Sequence, residues 1–549
     1  MLALVAIGVG LPLVLGGISG ALVVAQNDDW TYRRIAQILF ETGQVHLFGL
    51  AMLLGQVLVV QPFLWVANGD AWAFAAATAS FAVVGIVAGY LLVRRLLPFP
   101  RAMVALLSLV FVPGFLLYST SFMTDVPALS AESLCLCLGA VALARSGSSR
   151  WRWLIASLVA GFFAFTIREF ALAAPVAVLI AAAAAGMGRA RSFWVAGFVA
   201  IAACGVMYLV FAQKPDVGTA QASSAESLFL ANRTRFGIAT LALTLSPSLV
   251  IALASWWRRW RLLDLAGGAI VGAWMFGDVV GTLVRGEGIP WVLIGNVLEP
   301  TGTLGDQLMA GGRPFLYPPQ AWDVLNAIAL VSTIIAFGIV GAALGAIVRH
   351  PASITRTRLS AGLGSTAGLL ATFSVLYGAG LVAFGLIFGM LDRYQWPLAV
   401  PLSALLLIRP DVTVSPVARR PAYGVAGAIM LILAATSLVL LLNRDAFDAA
   451  RWRMADAAVA LGIPAENVDA GFEWVGYHLP GIAGLNWTAT PGPYYRWFPF
   501  HACAVVSSSL LDQPGFRLEK IDTEAYRLLL FDGWQYPLYL YRVSAPGCP

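Results

Sequence analysis

Apolar runs of about twenty residues recur along the chain and limit its fold more than any other feature of the sequence. As a helix, such a run is long enough to cross a hydrocarbon core of roughly 30 Å. Hydrophobic residues make up 60% of the 549 residues and charged residues only 11%, whereas soluble domains carry about 25% charged residues. A soluble globular protein is therefore excluded, and a polytopic membrane protein is predicted.

Clusters of arginine separate the apolar runs and indicate how the chain is oriented. Cytoplasmic loops of membrane proteins carry an excess of Lys and Arg, so we expect these clusters in the cytoplasm. The net charge of +6 then reflects membrane topology, and no nucleic-acid partner is expected. The clusters are Arg94/Arg95/Arg101, Arg145/Arg150/Arg152, Arg189/Arg191, Arg258/Arg259/Arg261, Arg349/Arg356/Arg358 and Arg409/Arg419/Arg420.

With loops alternating between the two sides, the sequence predicts about thirteen transmembrane helices. The chain is then a multi-pass protein of a bacterial cytoplasmic (inner) membrane. We divide it into a transmembrane domain, residues 1–443, and an extracytoplasmic C-terminal domain, residues 444–549. The predicted helices are 3–25, 72–93, 102–121, 127–144, 152–167, 170–187, 192–211, 236–256, 262–283, 322–348, 360–389, 396–408 and 422–443.

Two apolar segments allow alternative interpretations. The first 25 residues could be a signal peptide, but no basic residue precedes the long apolar run, and we interpret them as a retained helix. Residues 45–66 are apolar enough to span, yet Gln56, Gln61 and Pro62 are poorly suited to contact with lipid. We expect this segment to lie in or dip into the outer leaflet. A spanning helix is the alternative, and it would move the acidic residues before it to the other side.

Residues 444–549 differ in composition from the rest of the chain, with eight basic and eleven acidic residues. Residues 445–461 predict an amphipathic helix that ends at Ile463-Pro464. Runs typical of strands follow, separated by Gly and Pro, and we expect a small α/β or mostly β domain. Cys503 and Cys548 are its only cysteines and could form a disulfide outside the cytoplasm. No Cys or His spacing indicates a metal site. The predicted strands are 467–475, 502–509, 516–521, 525–531 and 536–543.

Four polar motifs fall in loops assigned to the outer side. Each has an ordinary structural explanation: Asp28 and Asp29 could lie in a solvated loop, and Asp125 could cap a helix that begins near Pro127. Glu132 would lie on the same helix face as Asp125. Because ionisable residues at a membrane are costly, their occurrence on one side favours a shared functional site. The motifs are NDDWTYRR at 27–34, TDVP at 124–127, TIRE at 166–169 and DRYQWP at 392–397.

In these motifs the chain resembles the GT-C glycosyltransferases, in particular the bacterial relatives of protein O-mannosyltransferases and of the lipid A aminoarabinose transferase. That family has an acidic pair after the first helix, here Asp28 and Asp29, and a second acidic residue opening the next outer loop, here Asp125. A basic residue follows the fifth span, here Arg168, and an Arg-Tyr-x-x-Pro signature comes late, here beginning at Arg393. The His-Pro-Pro often found in the first loop is absent, which leaves the acceptor class open.

The resemblance implies an all-α, GT-C-like membrane fold with a small extracytoplasmic α/β domain. It also implies transfer of a sugar from a polyprenyl-phosphate donor to a hydroxyl of a glycan, lipid or protein acceptor, with inversion. Asp28, Asp29 and Asp125 are the expected catalytic residues, and Asp28 or Asp29 is the general base. The expected partners are the donor, the acceptor and membrane lipid; no cofactor is required, although clustered carboxylates would allow a divalent cation. The residues expected to bind substrate are Tyr32, Arg33, Arg34, Arg168, Glu169, Arg393 and Tyr394.

A transporter or flippase of a lipid-linked saccharide is the alternative function, since it would need the same arginines for the phosphate. Transporters often contain internal repeats with interrupted helices in matching positions, and the sequence shows no such repeat. A membrane-anchored sensor would leave most of the thirteen predicted spans without a purpose.

Overall fold

The computed structural model describes residues 1–26, 28–46, 51–212, 226–256, 291–295, 297–298, 319–349, 356–388, 390–408, 416–479, 501–511, 517–527 and 535–548, with some residues between 268 and 286. Helices dominate this part of the chain. They are α1 (Leu2–Ser19), α2 (Asp29–Thr42), α3 (Leu54–Val66), α4 (Trp72–Val93), α5 (Phe99–Val110), α6 (Asp125–Leu143), α7 (Gly147–Phe165), α8 (Ala173–Ala184), α9 (Arg191–Ala212), α10 (Glu226–Trp256), α11 (Pro319–Arg349), α12 (Arg356–Leu363), α13 (Thr366–Phe388), α14 (Trp396–Leu407), α15 (Pro416–Ala460) and α16 (Phe472–His478).

Eight helices in the described part of the chain are long and apolar enough to cross a membrane. Several of them expose large apolar side chains, such as Trp194 and Phe198 on α9, as expected of helices that face lipid. The predicted helical membrane architecture is confirmed. The number of thirteen spans stays a prediction, and the predicted span 262–283 lies largely outside the described residues.

The predicted single helix at 102–121 is wrong, because α5 ends at Val110. Pro113 lacks a backbone N–H, and Gly114 adopts a φ of +99° that other residues rarely adopt. A Cβ on Gly114 would lie 2.3 Å from Val297 Cγ1, so the close approach of that loop also requires glycine. After a one-turn helix at Phe115–Tyr118, the chain reaches the start of α6 in an extended loop.

The segment 45–66 contains a helix, α3, of 13 residues. At 1.5 Å per residue this helix is about 20 Å long, shorter than the hydrocarbon core. Its two glutamine amides, one buried and one half-buried, bond to backbone carbonyls. Gln56 Nε2 donates to Phe122 O at 2.9 Å and Gln61 Nε2 to Ala36 O at 3.2 Å. The geometry favours the predicted non-spanning segment, packed against α2 and the loop before α6.

The C-terminal region contains a four-stranded mixed sheet of β1 (Val468–Asp469), β2 (Ala504–Ser507), β3 (Arg517–Tyr526) and β4 (Tyr536–Ser544), in the order β1-β2-β4-β3. Strands β1 and β2 are parallel, and the other two pairs are antiparallel. The small α/β fold predicted for this region is confirmed, and Cys503 and Cys548 form the expected disulfide. Two predicted strands, 516–521 and 525–531, are one continuous strand up to Tyr526.

Two boundaries in this region differ from the prediction. The predicted strand 467–475 consists of a two-residue strand followed by helix α16, so that strand was wrong beyond Asp469. The last predicted span and the amphipathic helix after it form one continuous helix, α15, which ends just before Gly462 and Pro464. The division of the chain at residue 443 stays a prediction, and it falls inside this helix.

Candidate active site

Residues from all four polar motifs meet in one place. Asp28 precedes α2, Asp125 opens α6, Arg168 follows α7, and Arg393 precedes α14. Arg393 links the two carboxylates: its Nη2 lies 3.6 Å from Asp28 Oδ2 and its Nε lies 3.8 Å from Asp125 Oδ1. Arg168 Nη2 lies 3.5 Å from the same Asp125 oxygen. We call these four residues the charge cluster.

Neighbouring side chains hold the two arginines of the charge cluster in place. Arg168 Nε donates to Thr124 Oγ1 at 2.7 Å, and its guanidinium lies 4.7 Å from the centre of the Tyr394 ring. Arg393 lies 5.7 Å from the centre of the Tyr118 ring and donates a long bond of 3.4 Å to the hydroxyl. Both guanidinium groups are buried, at 8% and 3% exposure. Stacking on aromatic rings therefore partly compensates for their lost hydration.

Asp392 anchors the segment that carries Arg393. Its Oδ2 accepts hydrogen bonds from the backbone N–H groups of Val297 and Leu298 at 2.8 and 2.6 Å. Its Oδ1 accepts from the N–H of Arg393 at 2.7 Å. The carboxylate therefore ties residues 297–298, of which Val297 contacts Gly114, to the start of α14. These bonds fix the backbone from which the Arg393 side chain extends.

The adjacent aspartates Asp28 and Asp29 have different environments. Asp29 is fully buried and accepts four hydrogen bonds, from Gln26 N, Arg33 Nη2, Ser121 Oγ and Phe122 N, at 2.6 to 3.2 Å. The Asp28 side chain remains 37% exposed and contacts Arg393. Partial burial raises the pKa of Asp28, while Arg393 opposes the rise. Asp28 is the carboxylate that a substrate can reach, whereas Asp29 joins α2 to the loop before α6.

The other predicted substrate-binding residues differ in how close they lie to the charge cluster. Tyr32 is buried beside the charge cluster, and burial raises its pKa well above the usual value, so its hydroxyl is neutral. Arg33 turns away from the cluster and donates to Val23 O, Val24 O and Asp29 at 2.9 to 3.0 Å. Arg34 and Glu169 are half-buried. Arg34 lies close enough to His478 of the C-terminal region to act on it electrostatically.

Sequence reasoning missed a buried ionic network next to the site. Arg444, Asp448, Arg451 and Glu473 are all at most 1% exposed. Arg444 pairs with Asp448, and Glu473 accepts from Arg444 at 3.3 Å and from Arg451 at 2.8 Å. The spacing of the first three residues places them on one helix face. That spacing is typical of a solvated face, and the packing of α16 against α15 helps to bury it.

Helix α16 in turn contacts the helix that follows Asp28. Phe472 packs edge-on against Trp30 with ring centres 5.7 Å apart, and Gln37 Nε2 donates to Tyr477 Oη at 2.7 Å. Gly476 lies so close to the Trp30 ring that a Cβ would meet it at 2.5 Å. The C-terminal region therefore helps to position the Asp28 segment.

The carboxylates at this site are a poor fit for a divalent cation. Asp28 and Asp125 each lie within 4 Å of a guanidinium group, which a cation would have to displace or repel. Among the described residues, the one group of three side chains spaced for metal binding is His501, Cys503 and Cys548, and its cysteines form the disulfide. The two guanidinium groups of the charge cluster are instead suited to an anion.

Comparisons with solved structures give matches along most of the chain. ArnT from Cupriavidus metallidurans, bound to undecaprenyl phosphate, is 13% identical with a TM-score of 0.40, over 98% of this chain and 97% of that one. An apo oligosaccharyltransferase of Archaeoglobus fulgidus is 14% identical with a TM-score of 0.40, over 82% of this chain and 58% of that one. A second structure of it, AglB with an inhibitory peptide and a dolichol-phosphate, has a TM-score of 0.37 over the same shares. No family model and no curated protein matches. ArnT is the lipid A aminoarabinose transferase, one of the relatives that the sequence motifs suggested.

Proposed function

We propose that the chain is a membrane glycosyltransferase that transfers a sugar from a polyprenyl-phosphate donor to a hydroxyl acceptor, at the outer face of the cytoplasmic membrane. The observation that carries this proposal is the charge cluster: two buried arginines share one buried carboxylate, Asp125, beside the accessible carboxylate of Asp28. The acceptor is a glycan, a lipid or a protein.

The two arginines bind the donor phosphate. Arginine carries a fixed charge and a planar set of donors that matches phosphate oxygens. In the described structure Arg393 Nε and Asp125 Oδ2 are buried and make no hydrogen bond, so the cluster retains bonding capacity for a ligand. When Asp28 takes up a proton from the acceptor it becomes neutral, and the two guanidinium groups with Asp125 then carry a net positive charge that stabilises the lipid phosphate as it leaves.

Asp28 acts as the general base. It removes the proton from the acceptor hydroxyl as the hydroxyl oxygen bonds to the anomeric carbon, while the bond from that carbon to the phosphate oxygen breaks. The bonding electrons leave with the lipid phosphate, which Arg168 and Arg393 hold. Asp125 orients both guanidinium groups. A single displacement of this kind inverts the anomeric carbon, and Asp29, which is saturated with hydrogen bonds, takes no part in the chemistry.

A transfer assay with the purified protein in lipid tests the proposal. The protein should release polyprenyl phosphate from a matching polyprenyl-phosphate sugar when a membrane-lipid or glycan extract supplies the acceptor. A panel of hexose, pentose and aminosugar donors is needed because the site does not name the sugar. Asp28→Asn should lower turnover about 100-fold or more, the scale of a lost general base, with little change in donor affinity.

The matched control is Asp456→Asn, an exposed aspartate on α15 that should keep wild-type turnover. Wild-type turnover in Asp28→Asn would remove Asp28 from the chemistry. The transporter or flippase predicts a different result: the donor crosses liposomes unchanged and no glycosidic bond breaks. If every donor in the panel gives that result, the transferase function is refuted and the transporter function is supported.

A further inference from the structure

Glu132 is a buried acid in the transmembrane region to which the proposed reaction gives no role. It lies on α6 seven residues after Asp125, on the same face and about 10 Å deeper along the helix. The side chain is 2% exposed, and within the described part of the chain its Oε2 atom has no hydrogen-bond partner. A buried polar atom without a partner lowers stability, and this atom is available to bond a ligand.

Glu132 lines two neighbouring cavities of different character. One cavity opens on the charge cluster and is lined by Asp125, Arg168 and Arg393, with Tyr377 and Tyr394. The other is lined mostly by apolar side chains of four helices, Leu92, Leu129, Leu136, Phe373 and Val400. Only Glu132 and Pro397 line both. Glu132 therefore lies between the charge cluster and a narrow, mostly apolar gap among four helices.

We propose that Glu132, as a neutral acid, donates a hydrogen bond to the phosphate of the lipid donor, at the point where the phosphate joins the isoprenoid chain. This rests on the proposed function. Phosphate oxygens are acceptors, so a carboxyl group bonds to them only when it carries a proton. Burial disfavours the ionised form of a carboxyl group. Arg168, which lines the same cavity, already faces Asp125 and Thr124.

Two substitutions separate a ligand contact from a structural role. Glu132→Gln keeps a neutral hydrogen-bond donor of the same size, whereas Glu132→Met keeps the length and removes the donor. Affinity for polyprenyl phosphate, the lipid without the sugar, is measured for both purified variants. We expect Glu132→Gln to bind like the wild type and Glu132→Met to bind about tenfold more weakly, the loss of about one hydrogen bond.

The thermal midpoint of the variants without ligand is the second readout. Because Glu132→Met removes an unsatisfied polar group, its midpoint should equal or exceed that of the wild type even though binding is weaker. A structural role would lower the midpoint instead. Unchanged binding by Glu132→Met, or equal loss in both variants, would overturn the proposal.

Donors with and without the sugar complete the test. If Glu132→Met weakens only the sugar-bearing donor, Glu132 contacts the sugar and the phosphate contact is refuted. A wild-type protein that binds polyprenyl phosphate but transfers no sugar would refute the proposed function. It would not refute the contact between Glu132 and the phosphate. If the protein transfers sugar and its Glu132→Met variant binds polyprenyl phosphate normally, only the proposed contact between Glu132 and the phosphate is refuted.

Discussion

At the scale of single residues, two adjacent aspartates have different surroundings, and we propose that Asp28 serves the chemistry and Asp29 the structure. Asp29 is surrounded by four donors and pairs with the buried Arg33 at 3.0 Å. Asp28, one residue earlier, faces the charge cluster. Because Asp29 holds α2 against the loop before α6, it also fixes the distance between Asp28 and Asp125.

Asp29→Asn should therefore destabilise the protein. The amide removes the counterion of Arg33 and points an N–H group at a pocket of donors. Breaking one side of a buried ion pair costs about 3–5 kcal/mol, and the thermal midpoint in detergent should fall accordingly. Asp456→Asn, at an exposed position, is the control and should unfold like the wild type. A stable Asp29→Asn protein without turnover would instead make Asp29 a reacting group.

The sequence predicted which motifs would meet but could not distinguish the neighbouring residues within a motif. Asp28, Asp125, Arg168 and Arg393 were all selected as acidic or basic residues in loops assigned to one side, and they meet. Arg33 was grouped with them because its charge suits a phosphate. Its real partners, the carbonyls of residues 23 and 24, depend on how the chain turns after α1, and no local pattern encodes that turn.

At the scale of helices and strands, elements set by local sequence were predicted correctly, whereas elements set by long-range contacts were not. The helix predicted at 72–93 matches α4 to the residue, because an apolar run ends at a pair of arginines. The helix predicted at 102–121 failed at Gly114, where a distant loop packs against the backbone. The strand predicted at 467–475 failed because α16 is held by contacts with α15 and α2 that outweigh local alternation.

We predict that the ionic network around Glu473 holds α16 against α15. Glu473→Gln would remove a carboxylate that the buried Arg444 and Arg451 share, at a cost of about 3–5 kcal/mol. Helix α16 should detach more readily, so limited proteolysis should cut sooner between residues 460 and 480. Glu519→Gln, at an exposed position on β3, is the control. An unchanged cleavage rate would mean that packing around Trp30 alone holds the helix.

At the scale of the whole molecule, the proposed chemistry requires that all residues of the site lie on the same side of the membrane. Helices α2 and α3 bond to each other through Gln61, and the start of α3 bonds to the chain after α7 through Leu53 N and Gly55 N. Asp29 bonds to the loop before α6. These bonds connect three loops that arginine positions assign to the outer side, so the placement of α2 decides that of the others.

Cysteine labelling in intact cells measures this placement. The three buried cysteines at 135, 137 and 204 are replaced by alanine, while the Cys503–Cys548 disulfide is kept. Single cysteines are introduced at the exposed positions Glu41, Ser148 and Leu461. A membrane-impermeant maleimide should label positions 41 and 461 from outside, and position 148 only after permeabilisation. Position 41 is decisive, because it lies in the last turn of α2, before the 45–66 segment. If position 41 is labelled only from the cytoplasmic side, that segment spans the membrane, and Asp28 cannot act on a donor at the outer face.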